Sequence, residues 1–185
     1  MTERFETVTT DAPDNGDDEP EPPERLQLDI IIEDGDWSAF APVEKALVLV
    51  ADAVARRLDL HDSQAAVALS SDERVRTLNR TYRGKDKPTN VLSFPAAGNG
   101  LPPGERRHLG DIVLAAETVA REAAAEGKLP RHHLQHLALH GLLHLIGYEH
   151  ESEQQAREME TLEVEILAQI GIPDPYAVQA SQQRA

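Results

Sequence analysis

Three histidines lie close together near the end of this chain. His140 and His144 are four residues apart, and His150 follows six residues later. Because residues four apart lie on the same face of an α-helix, the first two imidazoles can point at one spot. Three histidines around a zinc ion leave one position for water, which is the arrangement of catalytic rather than structural zinc sites. The spacing therefore predicts metal-assisted hydrolysis.

The third ligand depends on how the chain turns after the helix. Gly147 can end a helix and allow the next residues to fold back toward His140 and His144, which would bring His150 to them. His136 is the rival ligand, because it lies four residues before His140. The chain has no cysteine, so a metal must be held by nitrogen and oxygen. Such a site suits zinc, and also nickel, copper or iron.

Gly141 occupies the position at which familiar zinc proteases carry a glutamate. In the order H-E-x-x-H that glutamate acts as the general base of peptide hydrolysis. Here the order is H-G-L-L-H from His140 to His144. Glu149 and Glu151 are near in sequence, and a structure that places either carboxylate beside the metal would favour a peptidase. The motif alone argues against one.

A row of basic residues precedes the histidines. Arg76, Arg80 and Arg83 recur at helical spacing, and Lys85 and Lys87 follow in a turn. Most such rows are solvated faces that contribute little to stability. If this row borders the metal, its cations can position a phosphodiester and stabilise the charge that builds on its oxygens. Both interpretations stay open from the spacing alone.

Hydrophobic periodicity predicts four strands and five helices that position these residues. The strands are expected at 26–33, 65–69, 91–94 and 112–114. The first two helices are expected after a Ser38 cap and after a Ser71 cap, the second with Val75, Leu78 and Tyr82 on the core side. Three more are expected over 115–126, across the histidines, and after a capping box formed by Ser152 and Gln155. A Pro/Gly-rich loop is expected over 96–105. The pattern predicts a small α+β domain.

The two ends of the chain differ from its middle. Residues 1–25 hold nine acids, four prolines and only two basic residues, Arg4 and Arg25. Such a segment has too little apolar surface to offset the entropy of ordering. We therefore expect a disordered acidic tail at 1–25, either without function or as a weak regulatory arm. A single catalytic domain is expected over 26–178 and a short tail over 179–185.

Composition limits the classes of protein that fit. The formal net charge of the 185 residues is -15, which argues against the simplest kind of nucleic-acid binder. No stretch approaches the roughly 18 apolar residues of a membrane span, and the first residues lack the order of a signal peptide. The sequence therefore predicts a protein of the cytoplasm that is not bound to a membrane.

Three longer motifs carry a resemblance to a known family. They are LNRTYRGKDKPTNVLSFP at 78–95, LGDIVL at 109–114 and HGLLHLIGYEH at 140–150. Together and in this order they closely resemble the bacterial YbeY proteins, endoribonucleases involved in ribosomal RNA maturation. The resemblance extends from about Leu26 to Tyr176 and leaves out the acidic tail. Glu149 stands where aspartate is common in the family.

The resemblance implies a function, a site and a fold. It implies that His140, His144 and His150 bind one Zn²⁺ per chain and that Arg83 is needed for activity. It implies cleavage of single-stranded RNA in 16S ribosomal RNA 3′-end maturation and late ribosome quality control, with the ribosome or small-subunit assembly proteins as partners. The implied fold is α+β, with a mixed four-stranded sheet, about five surrounding helices and metzincin-like surroundings of the metal.

Two other functions stay open. The protein could be an RNA-binding or ribosome-assembly factor in which the metal is purely structural. It could also be a zinc-dependent hydrolase of another substrate class, including a peptidase. Loss of cleavage in an Arg83→Ala variant that folds and keeps its metal would favour an enzyme. A carboxylate close to the metal water would favour a peptidase.

Overall fold

The structure, a computed structural model, describes residues 26–97 and 105–177 of the chain. The predicted tails at 1–25 and 179–185 lie outside the described residues, as does most of the predicted loop over 96–105. The elements in chain order are β1 (Leu26–Ile32), α1 (Val43–Leu58), β2 (Ser63–Ser70), α2 (Asp72–Arg83), β3 (Val91–Pro95), β4 (Arg107–Ala115), α3 (Ala116–Ala125), α4 (Pro130–Ile146) and α5 (Glu153–Gln169). Within these described ranges, no helix combines the length and apolar character needed to cross a membrane.

The four strands form one mixed sheet in the order β1-β2-β4-β3. β1 and β4 both pair in parallel with β2, whereas β3 pairs antiparallel with β4 at the edge of the sheet. The predicted α+β fold with a mixed four-stranded sheet is confirmed. β4 is longer than the apolar run at 112–114 indicates, because Arg107 and His108 at its start pair with Ser63 and Gln64 of β2.

The two faces of the sheet bury different residues, because successive side chains of a strand point to opposite sides. One face carries the main core, which packs beneath α1 and α4. The other face carries a smaller cluster beneath α2, formed by Val75, Leu92, Val113 and Ala115. The metal-ligand candidates on α4 therefore face one side of the sheet, and α2 packs on the other.

The start of α1 differs from the prediction. Ser38 was expected to cap this helix, but residues Ser38–Phe40 form a separate short 3-10 turn and α1 begins at Val43. Pro42 is the reason, because a proline lacks the backbone N–H and disfavours helical conformation in the residue before it. A single helix cannot run through Ala41 and Pro42.

The start of α2 lies at the predicted residue but is capped differently. Ser71 occupies the N-cap position, yet its side chain makes no capping hydrogen bond. Instead the Asp72 N–H donates to Glu117 Oε2 at 2.8 Å, and the Thr118 N–H of α3 donates to Asp72 Oδ1 at 2.9 Å. Each helix start is thus capped by a carboxylate from the other helix. Anionic groups at these ends also interact favourably with the helix dipoles.

The apolar stripe of α2 is only partly buried. Val75 is fully buried and Leu78 is half-buried, but Tyr82 is 67% exposed. The prediction that Tyr82 belongs to the core is wrong. Tyr82 contacts Phe94 of the edge strand β3, and no further strand of the described residues covers the rest of the ring.

α4 is buried on nearly all sides and packs closely on the sheet at Gly141. A Cβ atom at Gly141 would lie 3.0 Å from Ile112 Cδ1 and 3.1 Å from Ser93 Oγ. Contacts this short force the neighbouring atoms to move. Gly141 therefore allows α4 to approach β3 and β4, because a larger residue would not fit between them.

Gly141→Glu should destabilise the fold. The new side chain would overpack the interface between α4 and the sheet and bury a carboxylate there, so the free energy of unfolding should fall by at least about 1–3 kcal/mol. Thermal or urea unfolding measures the effect. Ala124→Glu, at an exposed position of α3, is the matched control and should change stability little. Equal stability of the two variants would contradict the close packing at Gly141.

Candidate metal centre

The end of α4 brings the third histidine back to the first two. Gly147 adopts the left-handed conformation with φ 103° and caps the helix. Its N–H donates to the His144 carbonyl at 3.0 Å, and the Tyr148 N–H donates to the Leu143 carbonyl at 3.0 Å. This pair of hydrogen bonds is the Schellman motif, which reverses the chain direction after a helix. His150 consequently lies beside the last turn of α4.

His140, His144 and His150 form one cluster. Their ring centroids lie 4.6 to 5.4 Å apart, and one nitrogen from each ring lies within 4.8 Å of the others. The Nε2 atoms of His140 and His144 are 3.1 Å apart. Two nitrogens bound to one tetrahedral zinc ion lie about 3.3 Å apart. The cluster therefore fits a metal ion, with three imidazole ligands and room for a fourth.

His136, the rival ligand, lies outside this cluster. Its Nε2 is 3.1 Å from Glu163 Oε2 and 3.2 Å from the Tyr176 hydroxyl. One nitrogen of the ring is therefore engaged by a carboxylate, and His136 lies one helical turn before His140. The structure favours His150 over His136 as the third member of the site.

Glu163 of α5 contacts the His140 ring of the cluster through its side-chain carboxylate. Its side chain is 1% exposed, and its Oε1 lies 2.8 Å from Nδ1 of His140. A hydrogen bond from Nδ1–H to this carboxylate leaves the lone pair of His140 Nε2 facing His144. Carboxylates of this kind fix the ring orientation and tautomer of metal-binding histidines. Tyr176 donates a further hydrogen bond to Oε2 of Glu163.

Glu163 is ionised despite its burial. Burial raises the pKa of the carboxyl, but hydrogen bonds from His136 and His140 outweigh it and bring the pKa from 4.5 to about 2. Because the folded-state pKa is depressed, the ionised carboxylate contributes stability above about pH 4.5, and this contribution is lost as the pH falls toward 2. Burial and the neighbouring Glu163 charge raise the pKa of Tyr176, which keeps its hydroxyl protonated as a donor.

Glu163 is not among the residues predicted from the sequence, although its position carries a signal. Glu163 lies four residues after Met159 and three before Ile166, so it shares the apolar stripe of α5 with them. Met159, Glu163 and Ile166 are all buried in the structure. Acidic residues are almost never fully buried without a partner. A glutamate on a core stripe therefore indicates a buried partner, here the two histidines of α4.

The surroundings of His144 favour the neutral form of its imidazole. Its burial lowers the pKa of the imidazole, and so does nearby His140, while Glu149 acts in the opposite direction. Glu149 Oε2 lies 3.5 Å from Nδ1 of His144, whereas Nε2 of the same ring faces His140. Neutral imidazole is the form that binds metal ions. Glu149 thus contacts the edge of the ring that points away from His140.

A cleft of about 390 Å³ opens in front of the histidines. Its walls come from the end of α2, from β3 and the turn before it, and from the chain after α4; they include Arg83, Asn90, Ser93, His144, His150 and Glu151. The predicted catalytic arginine and the predicted metal ligands, although far apart in the sequence, therefore share one cavity.

The structure also separates the three arginines of the row. Arg76 Nε lies 2.8 Å from Asp86 Oδ1, and Arg80 lies 3.8 Å from the same atom. Arg83 makes no ion pair with any other residue in the described ranges. Arg76 and Arg80 therefore hold the following turn, whereas Arg83 alone of the row lines the cleft and is free to bind an anion.

Gly141 rather than a carboxylate occupies the position at which zinc proteases carry their base. Glu149 and Glu151 both line the cleft. However, the contact that Glu149 makes with His144 is on Nδ1, away from the nitrogen that faces His140. The position of the protease glutamate is Gly141, where the sheet leaves no room for a side chain. The site therefore gives a peptidase little support.

Fold and site together define an α+β protein with a three-histidine candidate metal centre in an open cleft beside an arginine. The family model described as "Endoribonuclease YbeY" matches residues 32–171. The chain belongs to the YbeY family, which confirms the resemblance seen in the three sequence motifs.

Individual relatives agree with this membership. A protein from Rhodopseudomonas palustris named Endoribonuclease YbeY is 53% identical over 156 residues, which cover 82% of this chain and 81% of the relative. One of the same name from Azorhizobium caulinodans is 48% identical over 161 residues, covering 84% and 99%. The solution structure of TM1509 from Thermotoga maritima has a TM-score of 0.50 and 24% identity, and the match covers 76% of this chain and 91% of that one. The similarity to TM1509 shows a shared fold.

Glu163→Gln should weaken metal binding at the cluster. The amide keeps the shape of the side chain but removes the charge that orients His140, so Zn²⁺ affinity should fall about 10–100-fold. Titration against a competing chelator at fixed pH measures it. Glu165→Gln on the same helix is the control, because Glu165 is exposed and pairs with Arg57 at the surface. Unchanged affinity in Glu163→Gln would show that the carboxylate does not act on the site.

Proposed function

We propose that this protein is a zinc-dependent endoribonuclease that cleaves single-stranded RNA. The observation that carries the proposal is the shared cleft, in which three histidines face one point and Arg83 lies on the wall. Three imidazoles suit zinc and leave a position open for a reactant. The names of the YbeY relatives support endonucleolytic cleavage of RNA as the reaction.

Each residue has a distinct role in this proposal. His140, His144 and His150 hold the metal, and Glu163 orients His140 through its Nδ1. When bound, Zn²⁺ supplies Lewis acidity and lowers the pKa of a water molecule toward neutrality. Arg83 binds the phosphodiester and stabilises the charge that accumulates on its oxygens during cleavage.

The charges of the cleft bear on how RNA binding there depends on the metal. Among the described residues that line the cleft, Arg83 is the single Lys or Arg, and Glu149 and Glu151 supply two carboxylates. A phosphodiester is repelled by this excess of negative charge. A bound divalent cation reverses the balance, so chelation should weaken RNA binding in the cleft as well as cleavage.

The proposed substrate is ribosomal RNA. The resemblance to the YbeY family supports a role in 16S ribosomal RNA 3′-end maturation and in late ribosome quality control, with the ribosome or small-subunit assembly proteins as partners. We place the protein in the cytoplasm on the same grounds. Three imidazole ligands also suit nickel, copper and iron, so metal analysis of the purified protein is the direct test of zinc.

His144→Ala should abolish both metal binding and RNA cleavage. Removing one of three ligands leaves too few nitrogens to hold the ion. Metal content per chain and cleavage of a labelled single-stranded RNA should fall together, whereas His61→Ala, which changes an exposed histidine paired with Asp59, should leave both unchanged. Cleavage that persists in the metal-stripped protein would refute the mechanism.

Arg83→Ala should keep the fold and the metal but lose activity. Loss of one charged donor at the phosphate should reduce kcat by about 10²–10³-fold. Arg74→Ala, at an exposed position of the same helix, is the matched control. If the wild-type protein binds RNA and metal but neither it nor the variants cleave, the protein is instead a binding factor with a structural metal.

A further inference from the structure

Tyr82 is an exposed aromatic residue at the end of α2. Its 67% exposure exceeds that of the other large hydrophobic side chains in the described residues. An aromatic ring that stays in solvent leaves a large apolar surface uncovered. Tyr82 directly precedes Arg83, the arginine that lines the cleft. Tyr82 therefore lies on the last turn of α2, one residue before a residue of the cleft wall.

The Tyr82 ring is supported from one side. It contacts Phe94 of β3, with ring centroids 5.1 Å apart and an angle of 66° between the planes. Phe94 is half-buried, and its neighbours Ser93 and Pro95 line the cleft on the other face of the strand. The ring thus packs on the same edge strand that forms one wall of the cleft. Packing on Phe94 holds it in place while the rest of the ring remains exposed.

The turn after α2 presents two exposed lysines, three and five residues after Tyr82. Asn79 is 2% exposed, and its side-chain Nδ2 donates to the Lys87 carbonyl at 2.8 Å while its backbone carbonyl accepts from the Lys85 N–H. These bonds, together with the pairing of Asp86 to the arginines of α2, hold the turn in one conformation. Lys85 and Lys87 are exposed and make no ion pair within the described part of the chain. They concentrate positive charge locally in a protein whose net charge is -15.

We propose that Tyr82, Lys85 and Lys87 form a platform for single-stranded RNA beside the cleft. A nucleobase stacks on the exposed Tyr82 ring, and the two lysines bind the adjoining phosphates. An exposed aromatic ring next to cations is the combination by which proteins bind single strands. This inference rests on the proposed function, and it adds a binding site outside the cleft.

The platform also supplies a physical basis for strand preference. In a duplex both faces of a base are covered by its neighbours, so stacking on Tyr82 would require unstacking. An unpaired base has a free face and incurs a smaller cost. The lysines act on any phosphate backbone, so Tyr82 is the residue of the platform that distinguishes single from double strands.

The test measures RNA affinity and steady-state cleavage in the zinc-loaded full-length protein. Tyr82→Ala should weaken binding of a labelled single-stranded oligonucleotide about 10-fold, with the loss in KM rather than kcat. Tyr82→Trp should restore affinity, because the contact requires an aromatic face. Leu129→Ala, at a residue 60% exposed elsewhere on the surface, is the matched control.

A stacking readout separates the platform from a structural role. The fluorescence of 2-aminopurine in the oligonucleotide should be quenched by the wild-type protein and by Tyr82→Trp, and much less by Tyr82→Ala. Lys85→Ala and Lys87→Ala should each reduce the slope of log affinity against log salt by about 0.7, whereas Lys45→Ala on α1 should not. The preference for single-stranded over duplex RNA should also fall in Tyr82→Ala.

The outcomes distinguish this inference from the proposed function. Cleavage by the wild-type protein with equal RNA affinity and equal quenching in Tyr82→Ala overturns the platform and leaves the nuclease intact; the ring would then mark a protein contact. Absence of cleavage in the wild-type protein overturns the nuclease, whereas Tyr82-dependent binding and quenching would still support the platform.

Discussion

The hydrogen bond between Glu163 and His140 is the interaction on which the candidate metal centre depends. It joins α5 to α4, and it sets the direction in which the His140 lone pair points. A buried carboxylate is stable only when its charge is compensated, and here His136, His140 and Tyr176 together provide the compensation. The same contacts that stabilise the charge hold the ligand in position, so the packing of two helices and the geometry of the site cannot be changed independently.

A second constraint comes from the approach of α4 to the sheet. Gly141 lies between the first two histidines and faces Ile112 and Ser93, so α4 can pack against β3 and β4. This packing closes the position at which a zinc protease carries its catalytic glutamate. It also places the histidines beside the edge strand β3. The turn after α2 forms another part of the cleft wall. Close packing thus leaves no room for a catalytic glutamate at position 141, and Arg83 lies in the same cleft as the histidines.

Features encoded by neighbouring residues were predicted well. The capping box of Ser152 and Gln155 forms as expected, and all four strands overlap the apolar runs that predict them, although β4 is longer than its run. The predicted Ser38 cap is wrong because Pro42 interrupts the helix after it. The predicted burial of Tyr82 is wrong because periodicity gives the direction of a side chain on its helix but does not reveal where the sheet beneath it ends.

The sequence by itself determined that His140 and His144 share one helix face and that Gly147 can return His150 to them, whereas the choice of His150 over His136 needed the structure. Their positions follow from the helical repeat and from the conformation that glycine allows. Only the tertiary structure decided that Arg83 lines the cleft while Arg76 and Arg80 pair with Asp86, and that Glu163 rather than a nearer carboxylate orients His140. Those contacts join residues far apart in the chain, so they depend on the order of strands in the sheet and on the packing of α2 and α5, which no local pattern specifies.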